Sequence, residues 1–308
     1  MEQIVSSVIP VFAIVFVGYF AGRLGAFDQP QAAALNRFIF FFALPPLIFR
    51  IMATVPLSAL DWRLVVAYLA GQVASVGVIV VLAVTVFRLT RAETLLAGFA
   101  SGFSNHVFLV LPLVLWLLGE AGAVPVIIII TLDMVVIYGL TLVALEVVTG
   151  EAKGPADRLR LLFGAYGRNP QLAALVLGVL WAATGAPLPS AIESFTQLFG
   201  AAAAPCALFG LGAALSAVKL RENLTEPLTV IAAKLFLQPV VTFLAARAVG
   251  LDSQTTMIAT LLAAAPTGAN AFVFAQRFGV YVQRASTIVL VSTVIAVFTL
   301  SAIVAWGF

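Results

Sequence analysis

Charge is what this sequence has least of. Asp, Glu, Lys and Arg make up 9% of its 308 residues, against roughly 25% in a soluble globular domain. It has one cysteine, Cys206, which excludes an internal disulfide framework and reads as a small apolar packing residue. It has one histidine, His106, which leaves no second imidazole for a metal site. The formal charge of +3 comes from scattered loop residues, with no basic run interleaved with aromatics, so nucleic acid is excluded as a partner. No motif calls for a cofactor. What is abundant is apolar: 63% of the residues are hydrophobic and the mean hydropathy is +1.14. The chain reads as an all-α integral membrane protein, with the lipid bilayer as its solvent.

Ten runs are each close to the ~20 residues that cross a bilayer: 3–22, 32–53, 64–87, 93–118, 124–148, 169–186, 192–217, 227–249, 255–276 and 284–306. Met1-Glu2-Gln3 carries no positive n-region, so the first run reads as a span rather than a signal peptide. One long polar connection, 149–168, holds Lys153, Arg158, Arg160 and Arg168 and divides the chain into 1–148 and 169–308, with five spans in each. Shifting the first half by 160 positions lays Pro10 on Pro170, Gly18 on Gly178, Pro45 on Pro205 and Phe49 on Phe209. An odd number of spans per half forces the second copy to enter the membrane from the opposite side, which predicts a 5+5 inverted repeat. Proline and glycine are common in membrane helices, so the four identities gain weight from a further coincidence described next.

Two spans are interrupted, and the same shift superposes the interruptions. Span 4 carries Ser104-Asn105-His106 and then Pro112; span 9 carries Ala265-Pro266-Thr267-Gly268-Ala269-Asn270. Pro112 lacks an N–H and its ring meets the carbonyl four residues back, so the helix is expected to break or kink there. Paired broken spans mark transporter binding sites. The start of each second half-helix offers free N–H groups and the positive end of a helix dipole, which suits an anion without a fixed basic residue. Asn105 and Asn270 add amide donors, and Gly268 permits close backbone approach. As packing kinks alone, the asparagines would cap freed carbonyls; the symmetric pair favours a binding site.

Lys and Arg orient the chain. With the N-terminus outside, the inner loops hold Arg23, Arg37, Arg88, Arg91, the four basic residues of 149–168, Lys219, Arg221, Arg277 and Arg284. The outer loops hold Arg50, Arg63 and Arg247, and Trp62, Trp116, Trp181 and Trp306 fall near outer span ends. Both termini are therefore predicted outside a multi-pass membrane protein.

The stretch from Leu35-Asn36-Arg37-Phe38 to Ala43-Leu44-Pro45-Pro46, Asn105 seven residues before Pro112, and Ala265-Pro266-Thr267-Gly268-Ala269-Asn270 together resemble the auxin efflux carrier family in its bacterial branch. The resemblance covers the whole chain. It implies a ten-helix inverted-repeat fold like that of bile-acid sodium symporters and sodium/proton antiporters, with crossed helices 4 and 9. Spans 1, 2, 6 and 7 would form a scaffold that dimerises; spans 3–5 and 8–10 would form a transport domain moving as an elevator. The implied cargo is a small organic anion, indole acetic acid in plants and malate or malonate in bacteria, carried across the inner (cytoplasmic) membrane. Asn105 and Asn270 occupy the crossover asparagine positions, and Pro112, Pro266, Thr267 and Gly268 complete the expected binding set. His106 departs from the family, which usually has a small or hydroxyl residue there.

His106 reads either as a packing residue satisfying a carbonyl, or as a protonatable donor for a second carboxylate; with no second histidine, a metal role has least support. Asp133 and Lys234 sit ~13 Å and ~12 Å into their spans at 1.5 Å per residue, near the same depth of a ~30 Å core. Intramembrane charges are functional suspects: the two are expected to pair, as a proton-sensitive couple or as a permanent bridge. No acidic cluster marks a sodium site, which leaves a proton or the membrane potential as the driving force. Two other classes remain, an anion channel and an intramembrane hydrolase built on Ser104 and His106. The second requires a base aimed at the hydroxyl, whereas residues two apart on a helix point about 200° apart.

Overall fold

A computed structural model describes residues 2–54, 61–149, 154, 164, 167, 169–216 and 224–307, with side chains from residue 9 onward. The central connection with Lys153, Arg158, Arg160 and Arg168, and the loop with Lys219 and Arg221, lie outside the described residues.

Among the described residues the chain is helical apart from turns and one isolated β-bridge. In chain order the helices are α1 (Glu2–Arg23), α2 (Gln29–Thr54), α3 (Trp62–Thr85), α4 (Arg91–Gly102), α5 (His106–Thr149), α6 (Pro170–Thr184), α7 (Ser190–Leu215), α8 (Thr225–Ala248), α9 (Ser253–Ala263), α10 (Asn270–Phe278) and α11 (Val282–Gly307). Six of them, α2, α3, α5, α7, α8 and α11, are long and apolar enough to cross a membrane, and α6 and Ile9–Arg23 are shorter apolar helices. Polar residues set the ends. Asp28 and Thr90 form capping boxes with Gln31 and Glu93, Asn169 caps α6, and Asp252 caps α9. Hydrogen bonds from the Thr255 side chain and amide hold the Asp252 carboxyl below the usual carboxylate range. Gly185 and Gly279 close their helices in the left-handed conformation.

Helix α5 turns within its length. Gly119 takes φ 67 and ψ −163, backbone that a residue with a Cβ rarely adopts. Immediately after it, Glu120 accepts a 2.8 Å hydrogen bond from the Arg50 guanidinium at the end of α2. Among the described residues four π-turns interrupt the α-helical ladder, at Ile39–Ala43, His106–Val110, Asp133–Tyr138 and Ala233–Leu237. Such turns are rare and concentrate at functional positions.

The chain divides into two compact units. The first comprises Met1–Asp61, Val107–Ile128 and Tyr166–Ala217. In it α1 packs on the second half of α7, and the second half of α2 packs on α6. These two contacts use corresponding residues. A Cβ on Gly18 would sit 2.1 Å from the Phe209 carbonyl oxygen, and a Cβ on Gly178 would sit 2.8 Å from the Phe49 carbonyl oxygen. Gly18 and Gly178, like Phe49 and Phe209, are 160 positions apart. Without a hydrophobic driving force in lipid, helices associate through such close backbone approach at small residues. Gly18→Val and Gly178→Val are therefore each expected to cost about 1–3 kcal/mol through overpacking and to lower the melting temperature of the purified protein. Gly77→Val, where a Cβ meets nothing within 4 Å, is expected to leave it unchanged.

The second unit comprises Trp62–His106, Ile129–Ala165 and Val218–Phe308. Here α3 packs against α4, α8 and α9, while α11 contacts α8, α9 and α10. Ion pairs tie one end of this unit: Arg277 to Glu146, and Arg284 to Glu93 and Glu226, with the Tyr281 hydroxyl donating to Glu226.

Candidate functional site

The centre of the second unit is a place where two helices stop. After Gly102 the chain leaves the helix, and Phe103 takes φ −85 and ψ 121. After Ala263 it does so again, and helix resumes only at Asn270. The two extended pieces lie antiparallel, Ser104 opposite Thr267. The Asn105 amide donates to the Pro266 carbonyl at 2.8 Å, and the Gly268 amide donates to the Phe103 carbonyl at 2.9 Å. Backbone groups that would be orphaned in a bilayer, at several kcal/mol each, thus satisfy one another across the break.

The break in span 4 lies upstream of Pro112. Pro112 is buried inside α5, within the first unit, just after the π-turn His106–Val110. A widened turn is one way a helix accommodates a ring that clashes with the preceding turn. The break or kink expected at the proline is met by this widened turn, while the full break of the span lies upstream, after Gly102.

The remaining expected residues fall as follows. Thr267 is fully buried; its hydroxyl donates to the Ala100 carbonyl at 2.8 Å and its amide to the Ser292 hydroxyl at 3.1 Å. Gly268 permits a close approach, but to protein: a Cβ there would sit 2.6 Å from the Phe103 ring and 3.0 Å from the Ser104 carbonyl oxygen. Asn270 is half-buried at the first position of α10, whose N-terminus has no side-chain cap. Asn105 is 3% exposed, and among the described residues its side-chain Nδ2 has no hydrogen-bond acceptor. A buried amide without a partner costs roughly 1–3 kcal/mol. That donor, beside two half-helix starts, can take an anionic oxygen.

Next to it lies a buried polar cluster. His106 is 2% exposed, with Nε2 3.0 Å from the Leu262 carbonyl oxygen and Nδ1 3.4 Å from Asp133 Oδ2. Both ring nitrogens thus face protein acceptors, and the ring stands edge-on to Tyr68. Asp133 opens the π-turn Asp133–Tyr138; it accepts from Gln72 Nε2 at 2.8 Å and from the Tyr68 hydroxyl at 3.2 Å. Lys234 lies in the π-turn Ala233–Leu237, is fully buried, and donates from Nζ to the Ala263 carbonyl at 2.7 Å. Asp133 and Lys234 are within electrostatic reach of each other. The close titratable contact of Asp133 is nevertheless His106, and Lys234 bonds to a backbone oxygen instead. Gln72 and Tyr68 escaped sequence reasoning; both are polar residues on the buried face of an apolar helix, which was the available signal. The Ser104 hydroxyl contacts the Tyr68 hydroxyl at 3.4 Å, and the His106 ring is aimed at Leu262 and Asp133, so no nucleophile–base pair forms there. Among the described residues no group of three or more His, Cys, Asp or Glu side chains could hold a metal ion.

Comparison with known proteins places this geometry in context. Residues 3–155 and 165–304 match a family model described as membrane transport protein. The "Putative malonate transporter" of Rhizobium meliloti (strain 1021) is 31% identical over 305 residues, covering 98% of this chain and 95% of the relative. The "Uncharacterized transporter YfdV" of Escherichia coli (strain K12) is 26% identical over 299 residues, covering 94% and 92%. An "Uncharacterized transporter" of Methanothermobacter thermautotrophicus is 25% identical over 297 residues, covering 96% and 95%.

Proposed function

We propose, from the premise that this chain belongs to the membrane transport protein (auxin efflux carrier) family, that it is a secondary transporter of a small organic anion bound at the crossover of spans 4 and 9. The observation that carries this reading is Asn105 Nδ2, a buried donor without an acceptor among the described residues, at the point where two helices restart. An amide and helix ends bind a carboxylate without a fixed opposite charge, so the anion can be released again. The relative named for malonate makes a dicarboxylate of that size the first candidate. Family and relatives speak for a transporter and not an enzyme.

The mechanism proposed is alternating access of the elevator type in a ten-span, 5+5 inverted repeat. The reciprocal contacts of Gly18 with Phe209 and Gly178 with Phe49 support the duplication, since a twofold relation between repeats exchanges one pair for the other. The first unit gathers helices α1, α2, α6 and α7, the expected scaffold; the second gathers most of the expected transport domain. Exposed Ser194 and Gln197 on the apolar helix α7 suit a face covered by a second copy, in keeping with a homodimer. In this reading both termini lie outside the inner membrane; Trp62 and Trp306 near helix ends and Trp116 beside the Gly119 turn of α5, all 60% or more exposed, suit an aromatic belt.

The test is counterflow. Liposomes containing the purified protein and loaded with unlabelled malonate are expected to take up labelled malonate transiently and saturably. Uptake that neither saturates nor responds to internal malonate would indicate a channel. Absence of any malonate flux would remove the dicarboxylate assignment.

A further inference from the structure

We propose that His106 and Asp133 jointly hold one exchangeable proton, and that this proton travels with the anion. The inference rests on the crossover being the anion site, and it supplies the coupling ion for that site.

The atoms dictate the count. A carbonyl oxygen only accepts, so His106 Nε2, 3.0 Å from the Leu262 oxygen, carries a hydrogen. The Tyr68 hydroxyl lies 3.4 Å from the same Nε2 but gives its hydrogen to the closer Asp133 Oδ2, at 3.2 Å. What remains is His106 Nδ1 facing the same Oδ2 at 3.4 Å. In the neutral ring Nδ1 is then a lone pair, and a lone pair opposite a carboxylate is repulsive. One proton makes the contact attractive, either as imidazolium with carboxylate or as imidazole with carboxylic acid. It comes from water on one side of the membrane and returns to water on the other, with no bond broken or electron moved. The other titratable groups facing the pair are Tyr68 from α3 and Lys234 from α8; α9 contributes the Leu262 and Ala263 carbonyls and the 103–105 segment the Ser104 hydroxyl.

The charges link proton to anion. Without the proton, Lys234 and Asp133 cancel; with it, the cluster carries one net positive charge. His106, Asp133 and Lys234 are all 2% exposed or less, and an uncompensated buried charge is costly. A monoanion on Asn105, the residue beside His106, restores neutrality, and a dianion such as malonate is left with one net negative charge instead of two. Each ligand therefore strengthens the binding of the other by the same factor. This gives proton–anion symport, with apparent anion affinity rising as pH falls through the titration of the pair.

Two measurements decide. In proteoliposomes, the ratio of malonate uptake with and without an inward proton gradient is expected to be about fivefold or more for the wild type, within the usual range of coupling. It should fall to about one in His106→Gln and Asp133→Asn whatever the absolute rate. In the purified protein without substrate, acid-minus-alkaline infrared difference spectra should show a carboxyl or imidazole band. Asp133→Asn should remove that band and His106→Gln should shift its titration. Should Asp133→Asn fail to fold, His106→Gln decides alone, since it keeps Asp133 opposite Lys234. An unshifted band in His106→Gln, or a gradient ratio equal to wild type in both variants, overturns the proton site while leaving malonate transport standing. A wild type with the expected band but no malonate flux removes the substrate reading and leaves the proton site.

Discussion

Asn105→Ala is expected to weaken malonate binding by roughly ten- to a hundredfold while leaving the protein folded. The estimate follows from one hydrogen bond to a charged acceptor, worth about 1.5–3 kcal/mol, at 1.4 kcal/mol per tenfold. Folding should be spared because the Asn105 contact that holds the crossover is its backbone N–H to Pro266, which alanine keeps. The side-chain Nδ2 makes no such contribution, since it has no acceptor among the described residues. Asn105→Asp should be more severe, because a carboxylate at that place repels the ligand. Asn270→Ala should act in the same direction but less strongly, as Asn270 is only half-buried and water can replace part of its contribution. Binding is read by calorimetry or thermal shift with malonate, and folding by the elution profile and melting curve of each variant. Wild-type affinity in both alanine variants would move the site away from the crossover.

The sequence made the class and the interrupted spans legible for physical reasons. Apolar runs of membrane length announce themselves by composition, and the scarcity of charge makes every exception visible. Asp133 and Lys234 stood out on that ground, His106 as the single histidine, and the two asparagines by their place in the interrupted spans. The pairings were another matter. Depth along a helix follows from residue count, so Asp133 and Lys234 could be set at a common level, but azimuth does not follow once π-turns intervene. Asp133 opens one and Lys234 sits in another, and each shifts the helical phase with no local signature. So Asp133 faces His106, Tyr68 and Gln72, while Lys234 turns to a carbonyl. The full break in span 4, upstream of the proline, was not legible for a related reason. Proline is a local signal, whereas the pairing of Phe103–Asn105 with Pro266–Gly268 joins segments more than 150 positions apart in the sequence. Gly268 shows the same limit: its need for a missing Cβ was readable, but the Phe103 ring that imposes it was not.

Lys234 gives the largest stability effect expected of a single site. Its ammonium is fully buried and its hydrogen-bond partner is one carbonyl, Ala263, at the break of span 9. Lys234→Met removes the positive charge that offsets Asp133 and leaves the carboxylate to His106 and its neutral donors Gln72 and Tyr68. Breaking a buried charge balance from one side typically costs about 3–5 kcal/mol, whereas removing both charges is often nearly neutral. Lys234→Met should therefore lower the melting temperature of the purified protein strongly, and Lys234→Met with Asp133→Asn should recover most of the loss. That recovery separates electrostatics from packing: if the lysine mattered only as a filler near Ala263, the second substitution would add to the damage instead of relieving it. Transport separates the remaining alternatives. A stable double variant that counterflows malonate but ignores a proton gradient assigns the charges to coupling. One that retains gradient-driven uptake makes Lys234 and Asp133 a structural charge balance, and places the coupling elsewhere.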